Sequence, residues 1–180
     1  METQEASVKT KWAIDPTHSE VQFKVKHLVI STVTGSFNKI EGSLTTEKED
    51  FDGASAYLAI NTDSVDTNNT DRDGHLKSGD FFDAEKYPQL KFEGKLSKSG
   101  DDYKLTGPLT IKDVTKEVTL DVEHGGVMED PYGQTKAGFE LIGTINRKEF
   151  GLTWDQVTEA GGVVVGDKVK LMMSIQVVKG

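Results

Sequence analysis

The sequence has no cysteine among its 180 residues. This absence excludes disulfides, thiolate metal sites and cysteine nucleophiles together. It carries little information about the compartment, because a chain without thiols tolerates reducing and oxidising surroundings alike. Long apolar runs are also missing, and none approaches the roughly 18 residues that a membrane-spanning helix needs. The chain therefore has the composition of an ordinary soluble, globular protein.

Positive charge is scarce relative to negative charge. Lys and Arg number 21 against 30 Asp and Glu, which gives a formal net charge of −9. Nucleic-acid binding needs a surplus of basic residues on one face, so we expect no nucleic-acid partner. An acidic surface is repelled by anionic lipid headgroups, so we expect no stable membrane insertion either.

The first eleven residues lack the apolar core of a secretory leader. They contain Glu2, Glu5, Lys9 and Lys11 and have no apolar stretch. We interpret 1–11 as a flexible N-terminal segment and 12–180 as one domain. The expected location is the cytoplasm, and the alternative is the periplasm with a leader removed.

Apolar residues alternate with polar ones along most of the chain, which is typical of half-buried β-strands. Such faces occur at 21–25, 56–60, 90–96, 103–111, 118–122, 137–145 and 169–177. Around Phe37, Ile40 and Leu44 the alternation slips by one residue, which predicts a bulge or bend. Short polar turns at 99–102, 112–113 and 130–133 separate the faces, so the strands are antiparallel and form a sandwich or a barrel.

The segment from Asn61 to Pro88 breaks the alternation and is too long for a structureless loop. Thr70 begins a run with acidic residues in its first turn, which predicts a helix start. We expect Gly79 to end that helix and Asp80 to cap a second short one through Phe82. The insert would thus be helical over about 70–86.

Candidate catalytic and metal-binding residues do not form a recognisable set. The four histidines, His18, His27, His75 and His124, are not spaced as convergent ligands on strands, so we expect no metal and no cofactor. Motifs of hydrolases and phosphate-binding loops are missing as well, so we expect no enzyme. Arg72 has two interpretations: an ion pair that locks the insert to the sheet, or a polar group at a cavity mouth.

A small closed barrel either fills its interior with side chains or leaves a lumen for one slender ligand. The sequence alone leaves both arrangements open. Gly94, Gly107 and Gly143 lie in otherwise large inward-facing rows, and because glycine fills no volume they favour a lumen.

Several segments together resemble the YceI-like proteins, which are described as lipocalin-like polyisoprenoid-binding proteins. The matching segments are Trp12-x-x-Asp15-x-x-His18-Ser19-x-Val21-x-Phe23-x-Val25-x-His27, Arg72-Asp73-x-His75-Leu76, Asp80-Phe81-Phe82-Asp83, Tyr87-Pro88, Asn146-Arg147-x-x-Phe150-Gly151 and Gly166-Asp167-x-Val169. The likeness extends from about Trp12 to Val178, and the order and spacing of the segments make it specific.

The resemblance implies an eight-stranded antiparallel lipocalin-like β-barrel whose interior holds a long apolar chain. The expected ligand is a polyisoprenoid, a fatty acid or a fatty amide, and the barrel can also form a homodimer. Two alternatives are an enzyme that acts on a lipid-like substrate, with His27 or His75 as general base, and a stress-related interaction protein with a filled barrel. The expected tail channel consists of Phe23, Val25, Leu58, Phe81, Phe82, Phe92, Leu109, Phe139, Leu141, Ile145, Phe150 and Met173. His27, Arg72 and His75 are the expected polar contacts of the ligand head.

Overall fold

The computed structural model describes residues 9–28, 30–48, 50–154 and 165–180. The strands are β1 (Thr10–Ile14), β2 (Glu20–His27), β3 (Ser31–Phe37), β4 (Ile40–Thr46), β5 (Ser55–Asn61), β6 (Val65–Asp66), β7 (Gln89–Ser99), β8 (Asp102–Ile111), β9 (Val114–Glu129), β10 (Thr135–Asn146) and β11 (Val165–Lys179). One α-helix, α1 (Thr70–Lys77), lies between β6 and β7. No helix in these ranges is long and apolar enough to cross a membrane.

The strand segments close into an eight-stranded antiparallel barrel, as the resemblance to the YceI-like proteins implies. Three barrel strands are each split in two, as β1/β2, β3/β4 and β5/β6. β11 closes the ring by pairing with both halves of the first strand: Val177 lies opposite Ile14, and Met173 opposite Val21. Between these halves Pro16–His18 form a 3-10 turn, which the Asp15 side chain caps. Closure leaves few unpaired strand edges.

One irregular position follows the sequence, and one boundary departs from it. The predicted bend near Phe37 and Ile40 is the break between β3 and β4, where the Asn38 N–H donates to the carbonyl of Ser64 at 3.2 Å. Strand pairing begins slightly before the expected domain start, because Thr10 is already opposite Thr46. Residues 1–8 lie outside the described ranges.

The second helix predicted after Gly79 is wrong. Helix α1 ends at Lys77, and the chain continues to Tyr87 as hydrogen-bonded turns. The N–H groups of Phe81 and Asp83 both donate to the carbonyl of Ser78, and Asp83 has a left-handed backbone with φ 49°. A left-handed residue cannot continue a right-handed helix, so the segment folds back instead.

The three glycines that favoured a lumen do not create one. A β-carbon at Gly143 would collide with Leu120, whose side chain occupies this space and is only 2% exposed. At Gly94 it would lie 2.9 Å from the ring of Phe92, and at Gly107 2.5 Å from the Cα of Gly94. These glycines permit close approach of neighbouring strands and rings, so the empty interior volume has another origin.

An aromatic cluster fills the end of the barrel at which β7 ends and β8 begins, which we call the capped end. Phe51 is its centre, with ring centroids 5.5 Å from Trp12, 5.1 Å from His124 and 5.0 Å from Phe139. The His124 ring stacks on Phe139 at 21°. His124 Nε2 is buried and has no hydrogen-bond partner in the described part of the chain.

The packing at Gly143 predicts a non-additive pair of substitutions. Gly143→Ala should lower the free energy of unfolding by about 1–3 kcal/mol through overpacking. Leu120→Ala should lower it by about 2–5 kcal/mol by leaving a cavity. Because the new methyl group enters the space that Leu120 vacates, the double variant should lose less than the sum of the two. Urea unfolding of all four proteins measures this, and strict additivity would contradict the packing.

His124 predicts a pH dependence of stability. Burial lowers its pKa from the ordinary value of 6.5, against the opposing effects of Asp102 and a hydrogen bond with the backbone at Gly126. The unfolded chain therefore binds a proton at a higher pH than the folded chain does. The contribution to stability is present above about pH 6.5 and is lost as the pH falls towards the folded pKa. Urea unfolding at about pH 7.5 and about pH 5 should show a smaller loss for His124→Phe than for the original protein. An equal loss in both proteins would exclude His124 as a cause.

Candidate functional site

A cavity of about 250 Å³ opens at the other end of the barrel, where β2, β8 and β10 end. We call this the mouth end. The walls of the cavity are apolar side chains from the sheet and from the insert. They are Phe23, Val25, Val33, Phe37, Leu76, Phe81, Phe82, Leu90, Ile111, Ile145, Leu152, Trp154, Val165, Val169 and Leu171. Towards the capped end, the described residues enclose a smaller void of about 70 Å³. The barrel is therefore hollow at one end and largely filled at the other.

The insert forms the roof of the cavity because a strand is nearly missing there. β6 has only two residues, and it pairs with β3 at Ser36 and Phe37 alone. The rings of Phe81 and Phe82 cover the gap: Phe82 packs edge-on against Phe37 at 5.7 Å, and Phe81 lies 5.4 Å from Trp154. Phe81 and Phe82 therefore take the place of a paired strand on this side of the cavity, and both line it.

Arg72 is held by Thr67 through hydrogen bonds, and the described part of the chain contains no ion pair of Arg72, which was the first of its two interpretations. Its Nε donates to the Thr67 hydroxyl at 2.8 Å, and its Nη2 donates to the Thr67 carbonyl at 2.7 Å. Asp73 accepts the Thr67 N–H at 2.8 Å, and Asn69 caps the helix by accepting the Arg72 N–H at 3.0 Å. Arg72 still lines the cavity, as its second interpretation required.

His75 lies at the roof between two aromatic rings. Its ring is 4.6 Å from Trp154 at 88° and 5.1 Å from Phe81 at 82°. Its Nε2 is 2.9 Å from Oδ2 of Asp80, so the carboxylate fixes the orientation of the ring. The imidazole therefore presents a fixed edge to the cavity.

Arg147 is buried at the mouth end, with 3% of its surface exposed. Its Nη1 donates to the carbonyls of Leu152 at 2.7 Å and Trp154 at 2.8 Å. Its Nε donates to Gly166 at 2.7 Å, and its Nη2 to Val165 at 3.1 Å. One guanidinium thus ties the chain that follows β10 to the beginning of β11 and keeps Trp154 against the cavity.

The polar residues that line the cavity are all basic or imidazole groups. They are Lys26, His27, Arg72, His75 and Arg147, and no Asp or Glu of the described ranges lines it. In these ranges no three His, Asp or Glu side chains converge as a metal site requires. The arrangement can enclose a hydrocarbon segment and offer hydrogen-bond donors to an oxygen-bearing group at its edge.

The fifteen residues expected at the site are divided among three locations. The cavity is lined by Phe23, Val25, His27, Arg72, His75, Phe81, Phe82 and Ile145. The smaller void is lined by Leu58, Phe92, Phe139, Leu141 and Met173. Leu109 and Phe150 are buried but line neither space. The expected channel is therefore not one continuous space, because large side chains such as Leu120 fill its middle.

Sequence reasoning missed Lys26, Arg147 and Trp154 as cavity residues. Lys26 lies on the outward face of β2 by alternation, and only the position of β2 at the barrel rim brings it to the edge of the cavity. Val169 and Leu171 could have been found, since they share the inward face of Met173. Arg147 carried a signal only as part of the motif at 146–151.

The fold and cavity define a lipocalin-like antiparallel β-barrel. The family model of the YceI-like domain matches residues 12–177, so the chain belongs to the YceI-like family. A UPF0312 protein of Staphylococcus epidermidis is 40% identical over 168 residues, which cover 93% of this chain and 96% of that protein. The crystal structure of a Campylobacter jejuni YCEI protein superposes with a TM-score of 0.69 at 35% identity, covering 84% of this chain and 87% of that one. A polyisoprenoid binding domain from Saccharophagus degradans has the same fold, with a TM-score of 0.67 at 16% identity and coverage of 92% and 97%.

The contacts of Arg147 predict that lysine cannot replace it. A lysine ammonium cannot donate to four carbonyls in the planar geometry of the guanidinium. Arg147→Lys should therefore lower the free energy of unfolding by about 2 kcal/mol or more, since each hydrogen bond to a charged group contributes about 1.5–3 kcal/mol. Urea unfolding measures the loss. Lys148→Arg, at an exposed neighbouring position, is the control and should be close to neutral.

Proposed function

We propose that this protein binds the apolar tail of an amphiphilic lipid in the cavity at the mouth end and carries it through water. The single observation that supports this function is a cavity of about 250 Å³ with apolar walls and a basic edge. Membership of the YceI-like family supports it, and so does the fold shared with the polyisoprenoid binding domain of S. degradans.

The size of the cavity limits how much of a tail it encloses. An apolar cavity of roughly 150 Å³ holds a benzene ring, so about 250 Å³ holds a larger but still short hydrocarbon segment. Each methylene removed from water contributes about 0.8 kcal/mol, and one methylene more or less changes affinity only modestly. Binding should therefore tolerate isoprenoid, fatty acid and fatty amide tails, with a polyisoprenoid extending beyond the cavity.

The edge of the cavity favours a head group that accepts hydrogen bonds. Arg72 uses Nε and Nη2 on Thr67, and its Nη1 takes part in neither bond. His27 and Lys26 lie at the same edge. Carboxylate, amide or quinone oxygens match these donors, whereas a cationic head would meet like charge.

The His75–Asp80 pair is the specific observation that favours the alternative of an enzyme. It supplies the oriented imidazole that a general base requires, and the sequence alone gave no such pair. The cavity lining in the described ranges has no Ser or Thr hydroxyl to serve as nucleophile, so a hydrolytic reaction would need an activated water. Incubation with a fatty ester separates the functions: turnover that His75→Gln abolishes would indicate an enzyme, and binding without turnover would indicate a carrier.

Two neighbouring inward positions on β11 test where the tail binds. Leu171 lines the cavity and Met173 lines the smaller void. Leu171→Trp should fill the cavity and weaken binding of a labelled polyprenyl chain at least about tenfold, because several methylenes lose their enclosure. Met173→Trp adds a similar ring to the same strand and should leave affinity within about threefold. Titration of delipidated protein by fluorescence polarisation measures both.

The ring of Trp154 provides a second measurement in the same titration. Because Trp154 lines the cavity and Trp12 lies in the capped end, a tail in the cavity should change the emission of Trp154 alone. Trp154→Phe should abolish the change and Trp12→Phe should retain it. Equal effects of the two β11 variants on affinity, or no uptake by the unsubstituted protein, would contradict the proposed function.

A further inference from the structure

The turn between β2 and β3 exposes two large apolar side chains beside the cavity. Leu28 is 41% exposed and Ile30 is 86% exposed, and we call these two residues the mouth tip. Single exposed apolar residues are common on soluble proteins, but these two project from one turn. Lys26 and His27, which precede them, line the edge of the cavity.

We propose that the mouth tip docks transiently on the surface of a lipid bilayer that contains anionic lipid. The apolar tip would enter the boundary between headgroups and acyl chains, and the lysines of β2 would contact the headgroups. The docking requires only the mouth tip and its neighbours, whereas its role in loading a tail rests on the proposed function.

The backbone at Leu28 gives the first support. Leu28 has φ 55°, a left-handed conformation in which a bulky residue is strained and Gly or Asn is favoured. Burial does not compensate for this strain, since the side chain remains 41% exposed. Non-glycine residues in such conformations cluster at functional sites. The turn between the paired residues His27 and Ser31 accounts for the backbone, but not for the choice of an exposed leucine there, which a partner that covers it would explain.

The distribution of charge on β2 and β3 is the second observation that supports the docking, and it favours an anionic surface as the partner. The whole chain has a net charge of −9, yet β2 from Val21 to His27 and β3 from Ser31 to Phe37 contain no acidic residue. Lys24 and Lys26 are exposed on β2, and Lys24 lies directly opposite Lys170 on β11. Like charges in this register repel one another, and an anionic surface relieves the repulsion.

The combination of these side chains favours a bilayer over a protein. Lysine is depleted at protein interfaces, whereas apolar side chains flanked by Lys are typical of segments that lie in the membrane interface. The nearby Asp167 is paired with Lys148 at 3.2 Å, which reduces its opposition to an anionic surface. Because the rest of the chain is acidic, the attraction is local and should be weak and sensitive to salt.

Flotation with vesicles tests the docking directly. The vesicles are phosphatidylcholine with about one-third phosphatidylglycerol, and phosphatidylcholine alone serves as reference. The protein should float with the anionic vesicles at low salt and should be released at high salt. The double variant Leu28→Ser with Ile30→Ser should lower the partition coefficient at least about tenfold. Lys24→Gln should lower it about fivefold, the value expected for one lysine near an anionic surface.

Two further variants separate docking from general damage. Met128→Ser removes an apolar side chain that is 66% exposed on β9 near the capped end, and it should not change flotation. Leu28→Gly fits the left-handed backbone, so its melting temperature should not fall while its flotation should. A variant that is at least as stable but binds vesicles less cannot be explained by unfolding.

The outcomes separate this inference from the proposed function. Absence of flotation with anionic vesicles, or equal flotation of the mouth-tip variant, overturns the docking. Loss of a dimer in size-exclusion chromatography of the mouth-tip variant, without vesicle binding by the original protein, identifies an interface between copies and also overturns it. Tail binding in vesicle-free solution is measured with the Leu171 and Met173 variants and can fail or succeed independently.

Discussion

The interior of an eight-stranded barrel is so narrow that it is either filled by side chains or left with room for one small ligand. In this barrel both arrangements occur, and the cavity lies at the end where strand β6 has only two residues. Where the sheet is paired on all sides, Leu120 and the rings around Phe51 fill the interior. Where β6 ends, the wall is replaced by Phe81 and Phe82, and the cavity lies below them. The insert thus forms part of the wall of the cavity in which we propose that a ligand binds.

The strands and turns could be predicted from sequence because each depends on local chemistry. Alternation determines which residues face inward, and Gly100 or Lys112–Asp113 end strands through their turn preferences. The free volume could not be predicted in this way. Gly143 leaves space on its own strand, but the side chain that enters this space belongs to Leu120, twenty-three positions earlier in the chain. The direction in which a side chain points and the volume left empty inside the barrel are separate properties. The first can be predicted from local sequence, whereas the second can be known only from the tertiary structure.

The site could be predicted only in part, because the sequence indicates which side chains point inward but not where the interior is empty. Arg72, His75 and the two phenylalanines of the insert lie in segments that resemble the family, and all four line the cavity as expected. Alternation could not indicate that Phe92 and Phe139 line the smaller void instead, since they carry the same inward signal as Phe23. The sequence predicts a second short helix through Phe82 because Asp80, after Gly79, is a favourable residue to cap a helix. The left-handed residue Asp83, which prevents the helix, has no clear sequence signal.

Arg147 has two effects at the mouth end. It holds segments of the backbone together, and it contributes positive charge to the edge of the cavity. Its buried guanidinium donates to backbone carbonyls, so it remains cationic, because arginine keeps its proton in proteins. The same contacts place Trp154 against His75 and complete the wall of the cavity. A positive edge is therefore a consequence of how the barrel is held together at this end.

A carrier of lipid tails also has to satisfy a thermodynamic condition that the cavity alone does not meet. The hydrophobic effect favours a tail in the cavity over a tail in water, but the interior of a bilayer is as apolar as the cavity. Transfer from a bilayer gains little from the tail itself, so the direction of transfer depends on head-group contacts and on whether the tail crosses water. An apolar tip beside a basic edge addresses both requirements at one end of the barrel. In the proposed function the two ends of the barrel have different tasks: the tightly packed side chains lie at the capped end, and the space for a tail lies at the mouth end, where the sheet is incomplete.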